Sequence, residues 1–592
     1  MSTTKPTKTV KISAVKGRPM LQWIGKQPLG EVSNYPAQLV EQFGGQPLKD
    51  ISYSTNSRDW NNLIFHGDNK EILSTLIAEG YRGKIDLIYI DPPFDSKADY
   101  IRKVELRGAN TKLEGETQSV IEQTQYTDIW AGDSYLQFMY ERLILLKELL
   151  SEQGSIYLHC DWHKSHHLRF LMDEVFGDEN FRNEIIWNYD IGTVPKNDFK
   201  KKHDNILRYS KSENLIFNEI RIASYNPDRY NLTDEEGRKF AVRGDTGKKI
   251  YEDEGQPADD VWSFVNEKDF RSLNSMSHER LDYPTQKPEA LLERIIKASS
   301  NPDSIVLDCF MGSGTTQAVA QKLGRRWIGC DINKGSIQTT AKRLGKIITD
   351  QQSQNQPLLK SQDDVLGITN FAHYRINNYD LAVQHNEFKT IAIAKLGIEK
   401  VSTETFFDGK IGEKLVKIVP FNRLLTLEDL MFVKEELKLR DEEDRDIILI
   451  GLGVDMQVYS YLEEYNRLRP VNKIEIKDLK NDGLFINRPA YAEVVLEDNN
   501  VKINNFVSPT IMERMKLDMD IFKEQVTDYR STIDYVLIDT DYNGVIFNVC
   551  LSDIPNKKKD LVTGEYKLES KGKKIAVKIV DMLGEEVLVI LG

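Results

Sequence analysis

Between Lys84 and Asp331, short apolar runs alternate with longer amphipathic stretches. "KIDLIYI", "GSIYLHC", "SIVLDCF" and "RWIGCD" suit strands of a parallel sheet buried on both faces. "YLQFMYERLILLKELLSEQG" carries apolar residues at helical spacing and stops near Gly154; "PEALLERIIKASS" and "TTQAVAQKLG" also read as helices. Such alternation predicts a doubly wound α/β sheet. Ligands of that architecture bind beyond the carboxyl ends of the strands.

The pattern changes after residue 348. "TDQQSQNQPLLKSQDD" (349–364) is polar, Gln-rich and contains Pro, so it reads as a linker. All seven Trp precede it. Beyond it, "TLEDLMFVKEELKLRDEEDRDIILIGLG", "MQVYSYLEEY" and "NKIEIKDL" predict a small α/β module over 365–490. "YVLIDTDYNGVIFNV" predicts a hairpin around Asn543-Gly544, and "KKIAVKIVDMLGEEVLVILG" two more strands. Residues 491–592 are expected to form a β-sandwich-like domain that docks a partner or a second subunit.

Composition narrows the class. Hydrophobic residues make up 40% of the 592 and charged residues 29%, ordinary for a soluble globular protein. No apolar run reaches the ~18 residues of a membrane span, and no signal peptide is evident, so a cytoplasmic protein is expected. Four Cys without a CxxC pair suggest neither a disulfide framework nor a zinc site. "HCDWHKSHH" (159–167) has no familiar metal-ligand spacing, and no metal is expected. The net charge of −13 is no sign of a uniformly basic nucleic-acid binder, but basic stretches are local. Residues 1–50 open as a basic arm with Lys5, Lys8, Lys11, Lys16 and Arg18, and a second basic run is "KNDFKKKHDNILRYSKSE".

Chemistry collects where the predicted strands end. Asp91-Pro92-Pro93-Phe94 follows "IDLIYI"; taken alone it could be a turn. "FMGSGTT" follows "SIVLDC": Gly312 and Gly314 allow close approach of a ligand, and Thr315 or Thr316 can cap the next helix. Gln317 stands where the dinucleotide fingerprint has a third glycine, and no GxxxxGK[ST] occurs. Asp331, at the end of the next strand, is suited to ribose hydroxyls. A ribose site without a pyrophosphate fingerprint fits a nucleoside such as S-adenosylmethionine.

Together the motifs resemble the amino-methylating DNA methyltransferases. Asp91-Pro92-Pro93-Phe94 looks like their D-P-P-[YFW] tetrapeptide and Phe310-Met311-Gly312-Ser313-Gly314 like their F-x-G-x-G loop. The tetrapeptide comes first, as in the β group. "LIFHGDNKEIL", "FRNEIIWNYD" and "ERLDYPTQKPEALLERII" match further blocks. "RPMLQWIGKQPL" and "HDNILRYSKSENLIF" are similar to adenine methyltransferases akin to the modification subunits of type III restriction systems.

The resemblance implies a Rossmann-like catalytic domain over 51–187 and 283–348, with a target recognition insertion at 188–282. It implies methylation of adenine N6 in double-stranded DNA after base flipping, with cytosine N4 or a silent DNA-binding subunit as alternatives. Asp91 and the Pro92 carbonyl would accept from the amine, Pro93 would stiffen the turn, and Phe94 would stack on the base. Asp68, Lys287, Asp308, Phe310, Gly312, Gly314, Thr315 and Asp331 would serve the cofactor. Lys287 could instead be structural, and Asp68 could instead cap a helix. Lys196, Lys200, Lys201, Lys202, Arg208 and Lys211 would contact DNA. A homodimer and a helicase-nuclease restriction subunit are the implied partners. "FFDGKIGEKLVKIVP" resembles nuclease-like domains, but Asp408 lacks an acid-x-lysine partner and no cleavage is expected.

Overall fold

Strands and helices alternate from Asn62 to Gln354 in a computed structural model of the chain. It describes residues 9–93 apart from 14–19, 45–50 and 54–59; 99–127 apart from 108–119; and 132–354 apart from 191–195, 245–246, 274–278, 282 and 284. It also describes 370–376, and 392–592 apart from 394–395, 400–405, 420–423, 441, 452, 469, 480–489, 515–525, 527 and 556–558.

Eleven strands form the central sheet: β1 (Ala37–Phe43), β2 (Asn62–His66), β3 (Ile85–Ile90), β4 (Leu150–Cys160), β5 (Phe181–Asn188), β6 (His203–Ser210), β7 (Val261–Ser263), β8 (Ile305–Asp308), β9 (Arg326–Asp331), β10 (Phe371–Ile376) and β11 (Phe547–Val549). Their order is β7-β5-β6-β4-β3-β8-β9-β2-β10-β1-β11. The run from β4 to β10 is parallel throughout. β6 is antiparallel to both β4 and β5, and β1 is antiparallel to β10, so the sheet is mixed rather than wholly parallel.

Strand alternation divides the core. Ile88 and Ile90 of β3 pack with Leu73, Leu143 and Leu171 of helices α1 (Asn69–Leu76), α2 (Gly132–Leu149) and α3 (Ser165–Phe176). Leu87 and Tyr89 pack on the other face with Ile295, Val319 and Leu344 of α4 (Glu289–Ser299), α5 (Thr315–Lys322) and α6 (Lys334–Gln354). The helices before the 211–260 insertion thus cover one face and those after it the other. From β3 the chain moves outward to β4; from β8 it moves the opposite way to β9. Adjacent strands β3 and β8 therefore flank the switch point of the sheet, where a crevice opens at the carboxyl edge.

Several expected boundaries move. The apolar run "HDNILRYS" is β6 itself, so the expected 188–282 insertion leaves the sheet only after Ser210 and rejoins it at Val261. Outside the sheet this segment forms a three-stranded sheet (Leu232–Thr233, Lys239–Val242, Lys249–Tyr251) and a two-stranded ladder of Arg221–Ile222 with Gln256–Pro257. The arm expected over 1–50 contributes β1, and Lys26 is held by Glu174 at 2.6 Å beneath the Trp23 and Tyr140 rings. The expected linker begins inside α6; residues 355–364 lie outside the described residues.

The hairpin expected at Asn543-Gly544 closes with a longer loop than its turn suggests. The turn itself is real, since Oδ1 of Asn543 accepts from the amides of Val545 and Ile546 at 2.8 and 2.9 Å. Beyond it, β11 joins β1, whereas Ile533–Asp539 pairs with Leu551–Asp553 and Ile575–Asp581. That four-stranded sheet, completed by Glu586–Leu591, shares one apolar core with the sheet of Tyr491–Glu497, Asn500–Val507 and Glu565–Lys567. Residues 490–592 form one compact unit with 1–377 instead of a separate domain. Apolar residues Tyr535, Leu537 and Val580 join the core on the α6 face.

Residues 378–489 are a second unit. A four-stranded sheet (Gly409–Ile411, Lys414–Ile418, Ile447–Gly451, Ile474–Asp478) packs with helices Leu427–Lys438 and Met456–Arg467 around Leu415, Val433, Leu449 and Val458. Thr426 and Asp429 form a capping box on the first helix. Asp408 accepts from the Ile418 amide at 2.6 Å, a bond that fixes the start of this sheet.

One buried cluster ties the C-terminal sheets to α6. Asp534 accepts from Arg107 at 2.7 Å and from Lys342 of α6 at 2.6 Å. Burial would raise its carboxyl, but the two cations outweigh burial and hold it at about 2. Asp534→Asn leaves both cations short of a counter-charge. With the Asp534 side chain 16% exposed, the expected loss is about 3 kcal/mol, the lower end for a broken buried pair, read as a lower denaturant midpoint.

Candidate active site

Four loops converge on the carboxyl edge of the sheet. Register aligns Val306 and Leu307 of β8 with Leu87 and Ile88 of β3, so Asp91 and the glycine loop emerge side by side. β9 and β2 end level, with Asp331 opposite His66, which brings Asp331 and Asp68 to the same edge. The Gly67 amide bonds the Asp331 carbonyl at 3.0 Å.

Asp91 is half-buried, and Pro92 behind it is buried. Lys287, just before α4, ion-pairs with Oδ2 of Asp91. Oδ1 is shielded from solvent and accepts no hydrogen bond among the described residues. A buried acceptor without a donor is uncommon and costly. Lys287 thus meets Asp91, the acid of the tetrapeptide, across 196 residues of sequence. Phe94 lies outside the described residues.

The glycine loop is held from below. Gly312 and Gly314 have φ of 52° and 70°, the left-handed region glycine tolerates. A Cβ on Gly312 would sit 3.4 Å from the Tyr283 ring, and one on Gly314 would collide with Thr340. Asp331 receives the Gly312 amide on Oδ2 at 2.9 Å and the Asn333 amide on Oδ1 at 2.8 Å. Thr340 donates to the Gly312 carbonyl at 3.0 Å. Gly314 itself occupies the cap position of α5, so neither Thr315 nor Thr316 caps that helix. Thr316 donates to Oδ2 of Asp308 at 2.6 Å, and Thr315 accepts from Arg343 at 3.1 Å. Phe310, half-buried, lies 6.1 Å from the Phe138 ring.

Three residues missed in the sequence complete this support. Arg343 of α6 also bonds the Ser313 carbonyl at 3.2 Å and Glu289 of α4 at 2.7 Å. Burial would raise the Glu289 carboxyl, but Arg343 and Lys322 together hold it below its ordinary value. Arg142 of α2 grips both oxygens of Asp68 at 3.0 and 2.9 Å, and Oδ1 of Asn69 at 2.5 Å. Asn69 in turn donates to the Cys309 carbonyl at 3.1 Å. Asp68 also caps α1 through the Lys70 amide at 2.8 Å. A signal for Arg142 existed: it shares a helical face with Tyr135 and Met139, where an apolar residue is expected. The third is His159. It is fully buried between the Tyr89 hydroxyl at 2.9 Å and Asp204 at 3.1 Å, while Tyr189 donates to Asp204 at 3.2 Å. Among the described residues no group of His, Cys, Asp and Glu is arranged to hold a metal ion.

The basic residues separate by register. Asn205 of β6 faces Cys160 and Ser210 faces Ser155, so the His203 end of β6 lies at the Asp91 edge. Lys196, Lys200 and Lys201 are exposed there and Lys202 half-buried; Lys201 covers the Trp162 ring at 3.8 Å. Lys211 lies at the opposite edge, bonded to the Lys147 carbonyl. Arg208 is buried within β6. Of the residues expected to contact DNA, Lys211 and Arg208 are not on the edge that carries Asp91.

Fold and site define a methyltransferase-like α/β protein. The sequence model of the N6/N4 DNA methylase family matches residues 85–342. The chain is 35% identical over 206 residues to the type II methyltransferase M1.MboII of Moraxella bovis, a match covering 34% of this chain and 76% of that protein. It is 30% identical over 285 residues to the DNA adenine methyltransferase YhdJ of Escherichia coli, covering 48% and 82%. It is 25% identical over 447 residues to the Mod subunit of the StyLTI type III restriction-modification enzyme of Salmonella typhimurium, covering 57% and 66%. The chain belongs to the N6/N4 DNA methylase family and is a DNA methyltransferase of the restriction-modification kind. Among the described residues no helix is long and apolar enough to cross a membrane.

Burial pushes the Asp308 carboxyl up to about 7, although Thr316 and the Phe310 amide bond its charged form. The folded state therefore holds this proton more tightly than the unfolded chain. That stabilisation is complete below the unfolded pKa of about 4 and is lost as pH rises through about 7. Thermal melts between about pH 5 and pH 8 test the sign. The wild type is expected to lose stability relative to Asp308→Asn over that range; parallel curves would contradict it.

Proposed function

We propose that this protein transfers a methyl group from S-adenosylmethionine to the N6 amine of an adenine flipped out of duplex DNA. The observation that carries the reading is the unbonded Oδ1 of Asp91, shielded from solvent beside the glycine loop at the switch point. S-adenosylmethionine supplies an electrophilic methyl on a sulfonium. Phe310, the loop at Gly312 and Gly314, Asp331 and Asp68 are the residues that would hold it. Its nucleoside half suits a glycine turn that lets backbone approach closely and an acid that accepts from hydroxyls.

The exocyclic amine of adenine is a weak nucleophile, because its lone pair is delocalised into the ring. Oδ1 of Asp91 and the Pro92 carbonyl accept from its two N–H bonds and favour the pyramidal form. Bound S-adenosylmethionine would supply the methyl with its thioether as leaving group, while Asp91 and the Pro92 carbonyl would hold the amine as it gives up one proton to solvent. Lys287 fixes Oδ2, which keeps the carboxylate aimed without occupying Oδ1. An acid at the first position of the tetrapeptide favours adenine over cytosine N4. Exposed Lys196, Lys200 and Lys201, with Phe199 92% exposed among them, offer a surface for DNA at the same edge. Likeness to the Mod subunit of a type III restriction-modification enzyme supports a modification subunit that works with a restriction subunit.

Asp91→Ala tests the reading. Methyl transfer from labelled S-adenosylmethionine to mixed-sequence duplex DNA is expected to fall by about 10²–10³-fold, the cost of losing one preorganised polar group. DNA affinity should stay within a few-fold of wild type. Undiminished transfer would exclude Asp91 from the reaction.

A further inference from the structure

Arg208 occupies the middle of β6, in register between Tyr157 of β4 and Asn183 of β5. It is 5% exposed. A guanidinium carries five N–H donors. Nε and Nη2 of Arg208 donate to nothing among the described residues, and Nη1 makes only a long contact with Oδ1 of Asn183 at 3.5 Å. Its plane lies 4.5 Å from the centre of the Phe217 ring and 5.6 Å from that of Tyr157. A buried charged donor left unsatisfied is costly, so a fold that retains one has a use for it.

Arg208 is one wall of a cavity of about 380 Å³, with Trp262 and Ile185 among the others. The cavity lies on the α4 side of the sheet, with Tyr157, Ile185 and Trp262 in the apolar cluster of that face. Arg208 sits toward the end of β6 remote from His203, away from the edge that bears Asp91.

The chemistry of the lining selects among ligands. Arg294, the other cation, is paired with Glu267 at 3.1 Å. Glu219, Asp259 and Asp260 complete the lining, and Glu219 is held by Arg221 at 2.8 Å. One uncommitted guanidinium among several acids repels a polyphosphate. It suits a flat, uncharged heterocycle that offers two adjacent acceptors to the fork, N–H donors to the acids and a face to the rings. Guanine has this layout: O6 and N7 accept on one edge, the pair an Arg fork reads most often, and the N2 amine donates on another.

We propose that this cavity is a guanine-binding site, separate from the methyl-transfer site, with Arg208 as its reader and Phe217 as its stacking wall. The base can arrive as a free nucleoside or as an unpaired guanine in a strand; the contacts are the same.

Calorimetric titration of the full chain with guanosine, 7-deazaguanosine, acetate and two single-stranded oligonucleotides, one with guanine and one without, tests this. Guanosine is expected to bind one to one. Loss of the N7 acceptor in 7-deazaguanosine, or Arg208→Met, should weaken binding roughly tenfold or more. Phe217→Ala, at an exposed ring whose loss spares the core, should weaken it several-fold with an unchanged melting temperature. Binding of only the guanine-containing strand, dependent on both residues, would assign the base to nucleic acid and support the site. No binding of either form, binding that both variants leave intact, or acetate competing as well as guanosine would overturn the proposal.

Discussion

The parallel pairing of β3 with β8 is the constraint on which the catalytic edge rests. These strands are neighbours in space but more than 200 residues apart in sequence, and their chains depart in opposite directions. That reversal leaves room at their carboxyl ends, and both loops must turn into it. Asp91 and Gly312 enter one crevice because β3 and β8 are locked together by apolar side chains on both faces. The chemistry therefore depends on packing that has no chemical role of its own.

Polar support then makes the crevice rigid. Arg343 joins α4, α5 and α6 under the glycine loop, and Arg142 joins α1 to α2 beside it. Each buried cation meets carboxylates and carbonyls, so the cost of desolvating it is offset locally. Asp331 accepts one backbone amide on each oxygen, which fixes the loop before any ligand arrives and leaves lone pairs for one. Preorganisation of this kind is what a reaction with no covalent intermediate requires of its protein.

How much of this was legible in the sequence depended on how local the signal was. β3, β8 and β9 are apolar on both faces and declare themselves as buried strands, and the residues that follow them fall where such strands place a site. Asp91, Gly312 and Asp331 were found on that basis. β1, "AQLVEQF", alternates with polar residues and depends on β10 and β11 for its place; no short stretch announces that pairing. The Asn543-Gly544 turn is a true local signal, yet tertiary pairing sends the strand after it to the central sheet. Lys287 was recognised as a candidate, but its partner Asp91 lies 196 residues away and only the fold joins them. The burial of Arg208 was not legible, because a basic run looks like a surface while β6 places that side chain inside.

If one acid at the switch point activates an adenine amine, the methyl must end on that nitrogen. The most direct measurement is the identity of the product nucleoside. DNA methylated by the protein is digested to nucleosides and separated with mass detection. The transferred methyl is expected in N6-methyl-2′-deoxyadenosine. Methyl recovered in N4-methyl-2′-deoxycytidine, or in 5-methyl-2′-deoxycytidine, would contradict it.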